Sequence, residues 1–174
     1  MSERQYLEIL LLIFVIVTVL ATFLILMFKN YIIMRKAEHA AKILLRGEAI
    51  ESVIMGGRKT YGGSGMKPML MVRIFHPSKR YVFDPAKCIC IGRDLYRNQI
   101  IIQDDLISDQ HCRIHLRRGK IILEDLNSTN GTFIRHKLKK NIVTEQTELA
   151  YADKIYMGTT VLQVYPFYVS NPVV

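Results

Sequence analysis

From Ile9 to Phe28 the chain runs for 20 residues without a charge, ILLLIFVIVTVLATFLILMF. A helix rises about 1.5 Å per residue, so this run covers about 30 Å, the hydrocarbon thickness of a bilayer. A cleavable signal peptide would have a shorter apolar run, a basic start and a small-residue cleavage site. Here the start is Met-Ser-Glu-Arg-Gln-Tyr, with Glu3 and Glu8 against Arg4, and Lys29-Asn30-Tyr31 follows the run. The expectation is an uncleaved transmembrane helix over residues 9–28, preceded by a short extracytoplasmic stretch, residues 1–8. Only Arg4 lies before the span, whereas Lys29, Arg35, Lys36 and Lys42 follow it. The positive-inside rule then puts the N-terminus outside and the rest in the cytoplasm of a single-pass plasma-membrane protein. Three cysteines cannot build a disulfide framework, and the odd number fits a reducing compartment.

Residues 29–50 read as a basic juxtamembrane helix near anionic headgroups. Ile33, Ala37, Ala40 and Leu44 recur at helical steps, and Gly47 is the expected stop. Residues 51–67 read as a linker, because positions 56–65 hold five of the ten glycines. Thr60 within it, between basic and tyrosine residues, has the setting of a kinase target, but an ordinary linker threonine is the better account.

From Pro68 the apolar runs become short and rich in β-branched and aromatic residues. Strands are expected at Met69–Phe75, Arg80–Phe83, Cys88–Ile91, Gln99–Ile102, Cys112–Leu116, Lys120–Leu123, Thr132–Ile134, Lys154–Tyr156 and Thr160–Tyr165. Turn residues such as His76-Pro77-Ser78, Asp84-Pro85 and Asn127–Gly131 separate them. Many short strands at this spacing imply an all-β sandwich or barrel. Within His111–Arg117, Cys112, Ile114 and Leu116 share the face expected to be core, and His111, Arg113, His115 and Arg117 share the other.

Three loop clusters carry the polar chemistry: Ile91-Gly92-Arg93-Asp94, Ser108-Asp109-Gln110-His111 and Asn127-Ser128-Thr129-Asn130-Gly131-Thr132. Gly-Arg, then Ser-x-x-His, then Ser-Thr-Asn-Gly-Thr, in this order, resembles a forkhead-associated (FHA) domain. Ala152-Asp153-Lys154-Ile155-Tyr156-Met157-Gly158 resembles that family's closing Gly-Asp-x-Ile-x-Ile-Gly segment, with alanine replacing the first glycine. The resemblance covers roughly residues 68–168, leaving 169–174 as a C-terminal tail. It implies an 11-stranded antiparallel β-sandwich that binds phosphothreonine peptides through loops at one end. Anchor, linker and a single such domain also resemble small FHA proteins of Gram-positive and actinobacterial envelopes, which implies a setting in cell division or peptidoglycan synthesis.

Phosphothreonine brings about −1.5 to −2 charges and three strong acceptor oxygens. A site for it needs a fixed cation and several neutral donors. Arg93 offers a planar fork of donors, and Ser108 and Thr129 offer hydroxyls. By resemblance, Arg93 and Ser108 grip the phosphate, Thr129 supports it, Asn130 holds the peptide main chain and His111 braces the loops. Gly92 is expected to allow a tight turn beside Arg93, and Gly131 a positive φ. The three loops would then meet as a small cationic cup. Asp109 is repulsive to phosphate unless it points away. Leu106 lies where the family reads a residue after the phosphothreonine, which implies an apolar preference there.

Ser108, Asp109 and His111 are the residue types of a hydrolytic triad, but three groups within four residues cannot easily reach one another in series. An enzyme is not expected. Cys88, Cys90 and Cys112 do not converge with His111 and His115 as a zinc site requires, so buried reduced cysteines are expected and no metal or other cofactor. Residues 1–50 hold six of the 24 basic and four of the 15 acidic residues, leaving 18 against 11 beyond them. Nucleic acid is a weaker explanation of that excess than an anionic membrane or a phosphorylated partner. The expected function is a membrane-anchored adaptor that recruits substrates of a Ser/Thr protein kinase to the lipid bilayer. The alternative is a scaffold that binds its partner without phosphorylation.

Overall fold

The computed structural model describes residues 3–54 and 66–170, with backbone alone for 3 and 45–54. Helix α1 runs unbroken from Glu3 to Ile54. Gly47 does not stop it. A lone interior glycine costs a helix only about 1 kcal/mol, and good helix formers surround this one. The helix therefore passes the expected start of the linker at residue 51, while the glycine-rich stretch 56–65 and Thr60 lie outside the described residues. Arg4–Leu44 is long and apolar enough to cross a membrane by length and composition. The two hydroxyls in the apolar run are satisfied within the helix, Thr18 donating to the Val15 carbonyl and Thr22 to the Val19 carbonyl, each at 2.8 Å. That is what a polar group in hydrocarbon requires.

The chain divides into two compact units, residues 1–39 and 40–174. The second is an antiparallel β-sandwich of eleven strands: β1 (Met66–Ile74), β2 (Lys79–Phe83), β3 (Ile89–Gly92), β4 (Ile100–Ile101), β5 (Cys112–Arg117), β6 (Lys120–Asp125), β7 (Phe133–His136), β8 (Lys139–Ile142), β9 (Thr147–Glu148), β10 (Lys154–Met157) and β11 (Thr160–Ser170). One sheet has the order β2-β1-β11-β10-β7-β8 and the other β4-β3-β5-β6-β9. The β3–β4 pair alone among the assigned pairs is parallel. β8 and β9 were not expected from the sequence, and β1 and β11 begin earlier or run longer than their apolar runs suggest.

Period-two patterning builds the core. Ile74, Leu162, Ile155 and Ile134 lie opposite one another across β1, β11, β10 and β7, and all face inward. Ile89, Ile91, Ile114 and Leu123 answer them from the other sheet. Cys112 is fully buried, with its Sγ 3.4 Å from the Met157 sulfur, and burial pushes its thiol up. Cys88 and Cys90 are only half-buried, contrary to expectation. A smaller cluster joins Ala41, Met69 and Val169.

Candidate functional site

Strands β3, β5, β6 and β7 deliver the three loop clusters to one end of the sandwich. Backbone bonds join the first two: the Arg93 N–H donates to the Ser108 carbonyl at 3.1 Å and the Asp94 N–H to the Asp109 carbonyl at 3.2 Å. Gly92 makes this approach possible, by a different route from the expected tight turn. It is the last residue of β3, and a Cβ there would lie 2.2 Å from the Asp109 carbonyl oxygen. Asn98 reinforces the junction by donating to the Asp94 and Asp109 carbonyls at 2.8 and 2.7 Å.

The second and third loops meet at Ser108 and Thr129. The Thr129 N–H donates to Ser108 Oγ at 3.1 Å, and that hydroxyl lies 3.4 Å from Thr129 Oγ1. One Asn130 amide N–H donates to the Leu106 carbonyl at 2.8 Å. His111 is fully buried, although its parity with Arg113 places it on the outer face; β5 begins only at Cys112, so the alternation does not reach it. Its Nδ1 accepts from the Ser108 N–H at 3.2 Å, which leaves the proton on Nε2, 3.3 Å from the Gly131 carbonyl. Burial lowers its pKa, against the opposing pull of that carbonyl. Gly131 has φ +74°, in the left-handed region.

Asp125, at the end of β6, is a site residue that sequence reasoning missed. Its carboxylate accepts from the Ser128 N–H at 3.0 Å, the Ser128 hydroxyl at 2.7 Å and the buried Thr132 hydroxyl. Burial alone would raise its pKa, but the bonds from Thr132 and Ser128 outweigh burial and hold it below the usual carboxylate range. An aspartate three residues before a serine is the signature of such a loop cap. Asp104 has a matching role. It accepts from the Thr159 hydroxyl at 2.6 Å, the Leu106 N–H at 2.9 Å and the Thr159 N–H at 3.1 Å, and these bonds hold its carboxyl low. The Ser108 loop is thereby tied to the β10–β11 turn.

Arg93 corrects the picture of a cationic cup. Its guanidinium bonds Asp109 Oδ1 at 3.1 Å through Nη2 and 3.3 Å through Nε, and Asp105 lies 3.5 Å from Nη1. Asp109 thus points toward the cation. Both acids are well exposed, at 64% and 102% of the side chain, so water can replace either partner at little cost. The loop end presents one guanidinium, two hydroxyls and an amide over a fixed hydrogen-bonded frame. Such a set suits a tetrahedral oxyanion. Among the described residues no cluster of His, Cys, Asp or Glu could hold a metal.

Residues 89–158 match the family model of the FHA domain. Those residues form an FHA domain. An FHA domain-containing protein of Arabidopsis thaliana is 34% identical over 71 residues, which are 41% of this chain and 17% of that protein. This chain thus matches well under a fifth of that relative's length. The solution structure of the FHA domain of an Arabidopsis thaliana hypothetical protein superposes with a TM-score of 0.53 at 28% identity, covering 66% of this chain and 98% of that one. Mycobacterium tuberculosis EmbR, solved with a low-affinity phosphopeptide, shares the fold at TM-score 0.50 and 19% identity, covering 61% of this chain and 26% of that one. FHA domains are interaction modules rather than enzymes. The candidate site residues Arg93, Ser108, Thr129 and Asn130 lie within the matched stretch, in loops between its strands.

Proposed function

We propose that this FHA domain binds phosphothreonine on a partner protein, and that the chain is a membrane-anchored adaptor for substrates of a Ser/Thr protein kinase. The observation that carries the reading is the meeting of Arg93, Ser108, Thr129 and Asn130 on one braced loop end. In this reading Arg93 and Ser108 take the phosphate oxygens, Thr129 supports Ser108, and Asn130 takes the peptide main chain with its remaining amide groups. Asp105 and Asp109 hold the guanidinium while the site is empty and give way to the phosphate, the stronger acceptor. The apolar helix supplies the anchor, over residues 9–28, with the basic flank after it on the cytoplasmic side. The architecture is the sole basis for a setting in cell division or peptidoglycan synthesis.

The carboxylates on Arg93 favour a second reading, a scaffold whose partner needs no phosphate. Titrating matched threonine and phosphothreonine peptides separates the two. The phosphopeptide should bind more tightly, and Arg93→Ala should lower its affinity by about 30-fold or more, the worth of a charge-assisted contact of roughly 2 kcal/mol. Equal affinity for the two peptides, or an unaffected variant, would hand the case to the scaffold.

A further inference from the structure

The outer faces of the two sheets handle their charge differently. On the five-stranded sheet, Arg113 pairs with Glu124 at 2.9 Å and Lys120 with Glu148 at 2.6 Å. On the six-stranded sheet, strand register sets Arg80, Arg73, Gln163, Lys154, Arg135 and Lys140 side by side across all six strands. Five of the six are cations. Three neighbouring pairs, Arg80–Arg73, Lys154–Arg135 and Arg135–Lys140, set like charges directly opposite each other, which weakens a sheet. None of the five has a carboxylate partner among the described residues, and Arg73 Nε is buried without a hydrogen-bond partner.

Aromatic rings lie beside three of these cations, Lys140, Arg73 and Lys154. Lys140 Nζ sits 4.8 Å from the Phe133 ring centroid and 4.7 Å from that of Tyr156, and Arg73 lies 4.7 Å from that of Phe75. The rings orient the charges but leave them uncompensated. Strands stand about 4.8 Å apart, so the row is about 24 Å long, and it is laid on a sheet face rather than along a groove.

We infer that this face docks on anionic phospholipid headgroups. A planar array of basic and aromatic side chains is complementary to a negatively charged bilayer surface. The same chain carries a helix able to cross that bilayer, which would keep the face within reach of it. The choice of lipid over another polyanion rests on the anchor reading above. The face is formed by strands β1, β2, β7, β8, β10 and β11, whereas the phosphopeptide site is formed by loops, so the two surfaces are distinct.

The test is lysine acetylation of the full chain in nanodiscs of phosphatidylcholine alone or with added phosphatidylserine. Lys140 and Lys154 should react about five-fold more slowly in the anionic discs, with Lys120 unchanged, and high salt should erase the difference. Arg73→Gln combined with Arg135→Gln should lose the protection while still entering both discs. Equal rates for Lys140 and Lys154 in the two lipids would overturn the inference, and so would protection by duplex DNA where anionic lipid gives none. Failure of the chain to enter neutral discs would remove the anchor reading alone. Acetylation with added anionic vesicles would still decide the sheet face.

Discussion

A methyl group at position 92 would press on the Asp109 carbonyl oxygen at 2.2 Å, and that obstacle is backbone rather than the end of a flexible side chain. Gly92→Ala should therefore destabilise the sandwich by about 3 kcal/mol, the upper end of overpacking costs. Its melting temperature should fall by more than about 10 °C. A variant that melts with the wild type would show that the Asp109 loop gives way freely. Ala152 has the opposite problem. It stands where the family pattern has glycine and holds φ +67°, a conformation that costs an L-residue about 1–2 kcal/mol. Ala152→Gly removes that strain but gives back roughly 0.5–1 kcal/mol of chain entropy. A small net gain remains, which should appear as a rise of a few degrees in thermal unfolding; a fall would mean the strain is relieved elsewhere. At Arg93, Asp105 and Asp109 occupy the guanidinium that the proposed site offers to phosphate. Asp109→Asn should raise phosphopeptide affinity by up to about five-fold, the reach of an exposed ion pair of roughly 1 kcal/mol. A loss of affinity on titration would mean that Asp109 positions the guanidinium more than it competes for it.

Among the loops, His111 is the part that responds to pH just below neutrality. It is buried, neutral and shared between the Ser108 and Gly131 segments. Its folded pKa lies below the ordinary 6.5. Above 6.5 both folded and unfolded chains hold it neutral, and its full contribution is present. As pH falls below 6.5 the unfolded chain takes the proton first, so stability drains away until the folded pKa is reached. The low carboxyls of Asp104 and Asp125 act in a separate window, keeping their contribution above about pH 4 and losing it further down. Melting temperature should therefore decline between pH 6.5 and 5, and His111→Asn should flatten that part of the curve. An unchanged slope in the variant would assign the decline to another group. Strand elements were legible where burial imposes alternation, as in Cys112–Leu116 or Lys154–Tyr156. β8 was not, because Lys139–Ile142 is exposed at every position and carries no period, and β9 is too short to show one. The loop motifs revealed which residues gather at the end of the sandwich. They did not reveal that Asp105 and Asp109 turn onto Arg93, because the direction of an exposed carboxylate is set by tertiary neighbours.

The two units of the chain differ in how they meet solvent. The sandwich buries its apolar strands in its own core. In α1 the apolar residues from Leu7 to Phe28 are exposed around the whole helix, with no polar face. A helix apolar on every side is stable only within a protein core or a bilayer, and none of the 18-residue apolar window is buried within the protein. A bilayer would remove this conflict, which is what the proposed anchor supplies. The two modes of membrane attachment argued for the chain then differ in their response to extraction. Electrostatic docking through the sheet is screened by salt, whereas a spanning helix is held by apolar transfer that salt does not weaken. The full chain should stay with membranes through both high salt and alkaline carbonate. A chain lacking residues 1–28 should leave them in high salt alone. Release of the full chain by carbonate would show that α1 does not span, and retention of the shortened chain in high salt would show that another surface carries the attachment.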